Sequence, residues 1–402
     1  MALSLPYADP RQLAGKTILM RVDFNLPMQD GQVRDDTRMR VALPGIKELL
    51  AERVRLVLLS HLGRPKGQKH ADLSLAPVAE HLAGLLGQKV HFAPDVLADG
   101  LADAVSGLGG GEVMLAENLR FWPQEEANDD GFARHLAGLA DAYINDAFSA
   151  AHRAHASIDG LARLLPAYGG PTLRAEITAL QTALDTPQRP VVAVVGGAKI
   201  SSKLAVLDFL TDKVDCLILG GGMANTFLAA GGVDMQASLM EPDLFETARD
   251  ILTKADARGC HILLPEDGLA ATSFGANVPH RAVANAALAE NEMVLDIGPA
   301  SIKAAAAQIQ KAATLLWNGP LGAFEYPPFD TATVALARIA AEQTGKGALV
   351  SIAGGGDTVA ALNHAGVADQ LSYMSLAGGA FLEWLEGREL PGIAVLAEPG
   401  RG

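Results

Sequence analysis

Short apolar runs alternate along the chain with stretches in which apolar residues recur at helical spacing. This alternation predicts βα units and mainly parallel sheets. In the first half of the chain the pattern predicts strands over residues 17–23, 55–60, 113–117 and 142–145. In the second half it predicts strands over residues 191–195, 217–219, 294–297, 315–317 and 349–353, each followed by a glycine-containing turn.

A helix is predicted between the two halves, over residues 171–184. Its apolar side chains fall on one helical face, namely Leu173, Ile177, Leu180 and Leu184. Thr172 is a candidate N-cap, and the sequence Asp185-Thr186-Pro187 is a stop signal. The position of this helix suggests an interdomain connector. A plain surface helix within one domain is the alternative.

The strand over residues 191–195 ends in Gly196 and Gly197, after which a helix is predicted to begin near Ala198. Lys199 and Lys203 are four residues apart, so this helix would carry both on one face of its first turns. A helix N-terminus attracts anions, and two ammonium groups beside it favour a polyphosphate. The spacing matches neither the P-loop motif nor the dinucleotide-binding motif. Surface lysines beside an ordinary glycine turn are the alternative.

Polar side chains follow the four predicted strands of the first half, and each of the four loops supplies an arginine. Ligands of open α/β sheets bind at the carboxyl ends of strands, so these loops predict one shared anion site. The side chains concerned are Asp23, Asn25, Arg38, His61, Arg64, Arg120, His152, Arg153 and His155. Arginine suits phosphate or carboxylate because its planar group donates two hydrogen bonds at once. With Asp23 and Asn25 available for a hydroxyl group, we expect a small, polyanionic, hydroxylated substrate.

The histidines of these loops could instead bind a metal ion. However, no Cys or carboxylate lies beside them at zinc-site spacing. Hydrogen bonding to an oxyanion is therefore the preferred interpretation for His61 and His152.

The turn Gly354-Gly355-Gly356-Asp357-Thr358 predicts a phosphate site in the second half. Its glycines expose backbone N–H groups at the start of a helix. The carboxylate of Asp357 would repel phosphates unless a divalent cation lies between them, and Mg²⁺ is the usual one. A simple helix cap is the alternative role for Asp357. Glu325 could accept hydrogen bonds from ribose hydroxyls, so this half is predicted to bind a Mg-nucleotide.

Composition narrows the possible partners. The 402 residues, 49% of them hydrophobic, suit two or three domains with sizeable cores. The formal net charge of −14 argues against nucleic acid or an anionic membrane as a partner. Cys216 and Cys260 each lie in an apolar run, so we expect buried, reduced thiols in a cytoplasmic protein. The sequence predicts neither a membrane span nor a signal peptide.

Nine motifs, in order along almost the whole chain, resemble those of the phosphoglycerate kinase family. They are RVDFNLP, LSHLGRP, ENLRF, NDAFSAAHRAH, VVGGAKISSK, LGGGMANTF, LWNGPLGAFE, AGGGDT and AGGAFLEWLEG. The resemblance implies an α/β fold of two doubly wound parallel-sheet (Rossmann-like) domains joined by an interdomain helix. The phosphoglycerate-binding domain would cover residues 1–171 with a returning tail, 389–402. The helix would cover 172–186, and the Mg-nucleotide-binding domain 187–388.

Carried over residue by residue, the resemblance implies three sets of site residues. Phosphoglycerate would be held by Asp23, Asn25, Arg38, His61, Arg64, Arg120 and Arg153. The nucleotide would be held by Ala198, Lys203, Gly221, Gly298, Asn318, Pro320, Glu325, Gly355, Gly356, Asp357 and Thr358, with Asp357 also directed toward Mg²⁺. Arg38 and Lys199 would flank the phosphoryl group during its transfer.

The chain departs from the family pattern at one place. Where the family usually has Ser-Thr-Gly-Gly-Gly, this chain has Ser375-Leu376-Ala377-Gly378-Gly379. An alanine at position 377 keeps its N–H but loses ready access to positive φ. The departure therefore raises a question about the donor geometry of this helix start.

The implied reaction is the reversible transfer of a phosphoryl group from 1,3-bisphosphoglycerate to MgADP, giving 3-phosphoglycerate and MgATP. The nucleophile of the reverse reaction is an ionised carboxylate, so in-line transfer needs no general base, and domain closure would bring the reactants together. A dinucleotide-dependent oxidoreductase and a non-catalytic nucleotide sensor are the alternatives. We expect small-molecule substrates only, and a monomer.

Overall fold

The computed structural model describes residues 5–397, and the chain divides into two units. One unit combines the residues up to Ile177 with the segment that begins at Glu389, and the other is Thr178–Arg388. Each unit contains its own six-stranded parallel sheet. The predicted fold class, with two parallel α/β sheets, is therefore confirmed.

The first unit is built from alternating strands and helices. Its strands are β1 (Thr17–Arg21), β2 (Met28–Gln29), β3 (Gln32–Val33), β4 (Arg55–Leu59), β5 (Val90–Ala93), β6 (Val113–Ala116), β7 (Ala142–Asn145) and β8 (Ala167–Gly169). Its helices are α1 (Thr37–Ala51), α2 (Ala76–Leu86), α3 (Leu101–Ser106), α4 (Pro123–Glu126), α5 (Asp130–Ala137) and α6 (Leu161–Leu164). The main sheet has the order β5-β6-β4-β1-β7-β8. Strands β1, β6 and β7 are buried along their whole length, as expected for a sheet covered on both faces.

Three strands of the first unit end before the predicted positions, because polar side chains turn the chain there. Ser60 lies just beyond β4, and its Oγ accepts from the N–H of Phe24 at 2.9 Å. Glu117 lies just beyond β6, and its Oε1 accepts from the N–H groups of Leu75 and Asn118 at 2.8 and 2.7 Å. Side chains that bond to nearby backbone groups in this way compete with the strand ladder.

Helix α7 (Pro171–Leu184) has the predicted bounds and crosses the boundary between the two units. Thr172 does not cap it. Instead, Asp146 Oδ1 accepts from the N–H groups of Thr172 and Leu173 at 2.7 and 3.2 Å. The Thr172 hydroxyl donates to the backbone carbonyl of Asp146 at 2.7 Å. The prediction that Thr172 is the N-cap is wrong because the helix already begins at Pro171, and a carboxylate distant in sequence takes the free N–H groups.

The second unit has the same alternating organisation. Its strands are β9 (Val191–Val195), β10 (Cys216–Leu219), β11 (His261–Leu263), β12 (Asp267–Ala271), β13 (His280–Ala284), β14 (Met293–Ile297), β15 (Thr314–Asn318), β16 (Val350–Gly354) and β17 (Tyr373–Ser375). Its helices are α8 (Leu204–Thr211), α9 (Gly221–Ala230), α10 (Phe245–Ala257), α11 (Pro299–Lys311), α12 (Thr331–Gly345), α13 (Gly356–His364) and α14 (Gly379–Leu385). The main sheet has the order β11-β10-β9-β15-β16-β17. The strand predicted over 294–297 belongs to a separate antiparallel sheet, β13-β12-β14.

The chain returns to the first unit through helix α15 (Pro391–Ala397). The N–H of Gly392 donates to the carbonyl of Ala151 at 2.8 Å, and Asn145 Nδ2 donates to the carbonyl of Gly392 at 3.3 Å. A Cβ on Gly392 would lie 2.6 Å from Ile158, so only a glycine allows this close approach. Residues 398–402 of the implied tail lie outside the described residues.

Both cysteines are buried, as the apolar runs around them predict. Cys216 and Cys260 are free and buried, and burial raises the pKa of their thiols to about 12 and about 11. Within residues 5–397, no helix combines the length and the apolar character needed to cross a membrane.

Candidate active site

In the first unit, four adjacent parallel strands deliver the predicted ligands to one edge of the sheet. The strands are β6, β4, β1 and β7 in that order, so their carboxyl ends lie side by side. The loops that follow them carry Asp23, Asn25, His61, Arg64, Arg120, His152 and Arg153. The chain direction across the sheet reverses beside β1, which is where ligands of doubly wound sheets bind.

Asp23, Asn25 and Arg38 form one connected group. Arg38 lies in the first turn of α1, and its Nη1 is 2.9 Å from Asp23 Oδ2. The same nitrogen donates to the carbonyl of Asn25 at 3.1 Å. Ser149 Oγ donates to Asp23 Oδ2 at 2.6 Å, and Asn25 Oδ1 accepts from the N–H of Gly63 at 2.8 Å. These contacts join the loops after β1, β4 and β7.

His61 lies among cationic side chains. Its pKa is well below the usual value, chiefly because it is buried, and then because of the charges of Arg21, Arg120 and Arg153. Burial, with Arg153 and Arg21, lowers the pKa of Arg120 to about 10. Burial, followed by the charges of Arg120, Arg21 and Arg153, lowers the pKa of His155 to about 3. An anion bound among these groups would offset their mutual repulsion.

Arg64 and Arg153 differ in how tightly they are held. Arg153 is half-buried, and its Nε donates to His152 Nε2 at 3.1 Å. Arg64 is exposed, and nothing in the part of the chain that the structure describes pairs with its guanidinium. Arg64 is thus the more readily available of the two for a ligand.

Three buried polar residues next to this site, Arg21, Glu125 and Ser157, are not among the predicted ligands. Ser157 Oγ accepts from Arg21 Nε at 3.0 Å and donates to Glu125 Oε1 at 2.6 Å. A sequence signal for Arg21 exists, because an arginine at the end of an apolar strand has to be paired when it is buried. Glu125 and Ser157 have no such sequence signal, because their local sequences resemble ordinary surface turns.

In the second unit, Lys203 and Asn318 connect three strand ends. The chain direction across the main sheet reverses between β9 and β15. Lys203 Nζ donates to the carbonyl and to the side-chain oxygen of Asn318, at 2.8 and 2.6 Å. Asn318 Nδ2 in turn donates to the carbonyl of Gly354 at the end of β16, at 2.8 Å. Burial lowers the pKa of Lys203 to about 8, although the charge of Asp357 acts in the opposite direction.

The helix predicted to begin near Ala198 begins later, so the prediction that Lys199 and Lys203 share a helical face is wrong. Helix α8 starts at Leu204, and Lys203 is its N-cap, with φ −134° and ψ 12°. The preceding residues form a loop that Glu241 holds, because its carboxylate accepts from the N–H and the Oγ of Ser201 at 3.0 and 2.6 Å. Since a side chain satisfies these donors, the loop does not need helical bonds. Lys199 is exposed.

The glycines of the second unit mainly allow its strand-end loops to touch. A Cβ on Gly196 would lie 1.8 Å from the carbonyl oxygen of Pro320, and one on Gly221 would lie 2.5 Å from that of Gly197. The N–H of Gly196 donates to the carbonyl of Asn318 at 3.1 Å. Gly356 differs, because a Cβ there would meet nothing within 4 Å. Most predicted glycine ligands therefore fix the loops, whereas Gly356 faces open space.

Asp357 fits the role of a magnesium ligand. It is exposed in the first turn of α13, two residues after the N-cap Gly355, whose φ is +100°. Mg²⁺ is usually held by one or two carboxylates together with substrate phosphates, and a helix start beside Lys203 favours phosphate. Among residues 5–397, no group of three or more His, Cys, Asp or Glu side chains could hold a metal ion by itself. The single carboxylate of Asp357 is the protein's candidate ligand.

The remaining predicted nucleotide ligands lie in different surroundings. Thr358 Oγ1 accepts from the N–H of Gly319 at 2.7 Å, so it supports the loop after β15. Gly298 is buried, and a Cβ there would lie 2.4 Å from Asp267. Ala198 and Glu325 are exposed, and Pro320 is buried. Leu239, which no motif identifies, is a large apolar side chain with 52% of its surface exposed.

The departure at Ala377 is compatible with the local backbone. The positive φ of this turn, 51°, belongs to Gly378, which is the N-cap of α14. Ala377 is not among the non-glycine residues with positive φ, and its N–H donates to Ser375 Oγ at 3.2 Å. The alanine therefore fits the turn, and its N–H already has an acceptor.

The chain is similar to one protein family throughout its length. The family model described as phosphoglycerate kinase matches residues 8–388. The phosphoglycerate kinase of Sinorhizobium medicae is 55% identical over 390 residues, which cover 97% of this chain and 98% of that protein. The phosphoglycerate kinase of Xanthobacter flavus is 55% identical over 388 residues, which cover 96% of this chain and 98% of that protein.

Two solved structures of the same family are also similar to this chain. The structure of phosphoglycerate kinase from Coxiella burnetii has a TM-score of 0.89 and 41% identity, and the match covers 96% of both chains. That of phosphoglycerate kinase from Pyrococcus horikoshii has a TM-score of 0.80 and 28% identity, again over 96% of both chains. These similarities give no support to the oxidoreductase or sensor alternatives.

Proposed function

Because this chain belongs to the phosphoglycerate kinase family and is a phosphotransferase, we propose that the two groups of strand-end residues divide the reaction between them. The reaction is the reversible transfer of a phosphoryl group from 1,3-bisphosphoglycerate to MgADP. The first unit would bind the phosphoglycerate, and the second would bind the nucleotide. The observation that carries this proposal is the concentration of cations around His61. Burial first, and then these charges, lower the pKa of His61 and of Arg120.

Phosphoglycerate is a trianion at neutral pH with one hydroxyl group. Arginine and histidine donors suit its charged oxygens, and the carboxylate of Asp23 can accept from its hydroxyl. The ligands that we assign are Asp23, Asn25, Arg38, His61, Arg64, Arg120 and Arg153. The ion pair of 2.9 Å between Arg38 and Asp23 supports the assignment, because it fixes the direction of both side chains beside the cations.

The nucleotide is assigned to the loops that meet around Asn318. Lys203 would donate to phosphate oxygens, Gly356 would leave room for them, and Asp357 would hold the magnesium ion. Mg²⁺, when bound with the nucleotide, would supply positive charge at the phosphate oxygens. The other assigned residues are Ala198, Gly221, Gly298, Asn318, Pro320, Glu325, Gly355 and Thr358. For Asn318 the hydrogen bonds to Lys203 and Gly354 support a positioning role rather than direct contact.

The transfer itself requires positioning and charge neutralisation more than acid–base chemistry. In the direction of ATP use, the carboxylate of 3-phosphoglycerate is already ionised and can attack without a base. We assign Arg38 and Lys199 to the phosphoryl group in transfer. The exposed position of Lys199 supports this role, because an exposed ammonium group is accessible to a ligand.

A coupled assay tests the proposal. 3-Phosphoglycerate and MgATP are supplied, and the bisphosphoglycerate formed is followed through NADH consumption. We expect turnover that EDTA abolishes and that added MgCl₂ restores. Absence of turnover by the folded wild-type protein with saturating substrates would contradict the proposed reaction.

The proposal includes a monomeric, cytoplasmic enzyme with small-molecule substrates and no nucleic-acid or membrane partner. The net charge of −14 supports the exclusion of polyanionic partners. Sedimentation equilibrium tests the monomer, which predicts a mass near 41.8 kDa at all concentrations.

A further inference from the structure

A buried chain of hydrogen bonds in the first unit ends at His61. Arg21 is the last residue of β1 and is fully buried. Its Nη2 lies 2.9 Å from His61 Nδ1, its Nε donates to Ser157 Oγ at 3.0 Å, and its Nη1 donates to the carbonyl of Val22. The guanidinium is therefore held by all three of its nitrogens.

The contact with Arg21 determines which nitrogen of His61 carries the proton. A guanidinium has donors and no acceptor, so His61 Nδ1 has to accept and is unprotonated. A neutral imidazole then carries its proton on Nε2. A second proton on this ring would face the charges of Arg21, Arg120 and Arg153.

The Nε2–H group of His61 is consequently a donor with a fixed direction. In the described part of the chain it has no hydrogen-bond partner, and its neighbours are cations. An oxyanion is the partner that suits such a donor, because it also offsets the surrounding positive charge.

Two further residues hold Arg21 in place. Ser157 Oγ accepts from Arg21 and donates to Glu125 Oε1 at 2.6 Å, and the N–H of Ser157 donates to Glu125 Oε2 at 2.9 Å. Glu125 is fully buried, and the charge of Arg21 acts against the rise in pKa that burial causes in its carboxyl group. Glu125 and Arg21 thus form a buried pair of opposite charges with a hydroxyl between them.

We propose that Arg21 is a positioning residue that fixes His61 as the neutral Nε2–H tautomer, so that His61 donates to an oxyanion of the bound phosphoglycerate. Arg21 does not touch the substrate. It acts through His61, and Ser157 with Glu125 keeps it in position. This inference rests on the proposed function, because it takes His61 as a substrate ligand.

The tautomer is measured directly on the whole wild-type protein labelled with ¹⁵N-histidine. Ten histidines are present, and comparison with a His61→Gln sample assigns the signals of His61. At pH 7 we expect an unprotonated Nδ1 and a protonated Nε2. A protonated Nδ1, whether as the other tautomer or as imidazolium, overturns the proposal.

Two variants test whether Arg21 causes this state. Arg21→Lys keeps the charge but cannot contact Val22, Ser157 and His61 together. We expect mixed tautomers of His61 and a KM for 3-phosphoglycerate raised about tenfold, the loss of one charge-assisted contact, with kcat changed less than about twofold. Ser157→Ala should change both quantities in the same direction by a smaller factor. It serves as the test if Arg21→Lys does not fold.

Arg163→Lys is the matched control, because Arg163 pairs with Asp159 at 2.7 Å and is not part of the site. We expect its KM and the His61 signals to match the wild type. If Arg21 only supports the fold, the variants will melt at lower temperature while KM and the tautomer stay unchanged, and the proposal fails. Wild-type turnover separates the two hypotheses: turnover with the wrong tautomer refutes the role of Arg21 alone, and no turnover refutes the proposed function.

Discussion

The ammonium group of Lys203 donates to both oxygens of Asn318, at 2.8 Å to the backbone carbonyl and 2.6 Å to the side chain. Asn318 is the last residue of β15, and Lys203 lies in the segment that follows the neighbouring parallel strand β9. The contact therefore lies at the point where the strand order of the second unit reverses. It holds a charged group in a largely buried place, and this lowers the pKa of Lys203 to about 8.

The lowered pKa predicts a pH dependence of nucleotide binding. Bound phosphates favour the charged lysine, so above about pH 8 binding of MgADP has to take up a proton. We expect the affinity to be constant below pH 8 and to fall by up to about tenfold per pH unit above it. Calorimetric titrations between pH 7 and 9.5 measure this. In Lys203→Arg the charge persists over the whole range, so its affinity should not change with pH. A wild-type affinity that is constant to pH 9.5 contradicts the assignment.

Lys199→Ala tests the assignment to the phosphoryl group in transfer. If this lysine stabilises charge that develops in the transition state, kcat should fall by about 10²–10³. Affinity for the nucleotide should change little, because the ground state does not depend on this contact. Lys346→Ala is the control, since Lys346 is exposed and pairs with Glu342 on α12. An unchanged kcat in Lys199→Ala rules out the role.

Arg64→Ala tests the assignment of an exposed, unpaired arginine to substrate binding. Loss of one charge-assisted contact should weaken binding of 3-phosphoglycerate by about 1.5–3 kcal/mol. Steady-state kinetics should report this as a higher KM. The control is Arg40→Ala, because Arg40 pairs with Asp36 at 2.7 Å on the exposed side of α1. If both variants have the wild-type KM, Arg64 is not a ligand.

Asp146, which caps α7, predicts a pH-dependent stability. Burial raises its pKa to about 6, more than the bonds from Thr172 and Leu173 lower it. A raised carboxyl pKa contributes stability below the unfolded value, near 4, and this contribution is lost as the pH rises through about 6. The window of roughly two pKa units corresponds to about 3 kcal/mol. The free energy of unfolding of Asp146→Asn, relative to wild type, should therefore increase between pH 4 and 7.

Urea unfolding at several pH values, followed by a probe in the first unit, measures this difference. Asp129→Asn is a control, since Asp129 caps the short helix α5 through the N–H of Phe132 from a position that is not buried. A pH-independent difference for Asp146→Asn would show that the carboxyl group ionises normally in the folded protein.

Alanine is expected to destabilise the protein at one glycine turn and to change its stability little at another. A methyl group on Gly196 would overlap the carbonyl oxygen of Pro320, whereas one on Gly356 would meet nothing within 4 Å. We expect Gly196→Ala to destabilise the protein by about 3 kcal/mol or more. Gly356→Ala should change stability by less than about 1 kcal/mol, because alanine suits the start of a helix. Thermal melts compare the two, and equal melting temperatures would contradict the packing of these loops.

The elements with a strong apolar pattern could be predicted from the sequence. The bounds of α7 follow from its periodic leucines and isoleucine, and β9 follows from its valines. The separate sheet of β12–β14 was not predicted, because a single strand pattern does not reveal whether its partners run parallel.

Contacts between distant residues could not be predicted. The cap of α7 comes from Asp146, and the loop of Lys199 is held by Glu241, so each depends on a partner that local sequence does not indicate. The group formed by Arg21, Ser157 and Glu125 depends on the same kind of long-range contact. The strand-end arginines were predicted because their position relative to a strand is a local property.

Helix α15 has a consequence for the order in which the protein matures during synthesis. The first unit includes a segment that leaves the ribosome only after the whole of Thr178–Arg388, and Gly392 of this segment bonds to Ala151 in the loop that precedes Arg153. The second unit is continuous in sequence and can complete its fold while translation proceeds. The anion-binding loop after β7 can reach its final structure only after the segment that contains Gly392 has been synthesised. A nascent chain should therefore acquire nucleotide binding first and affinity for phosphoglycerate last.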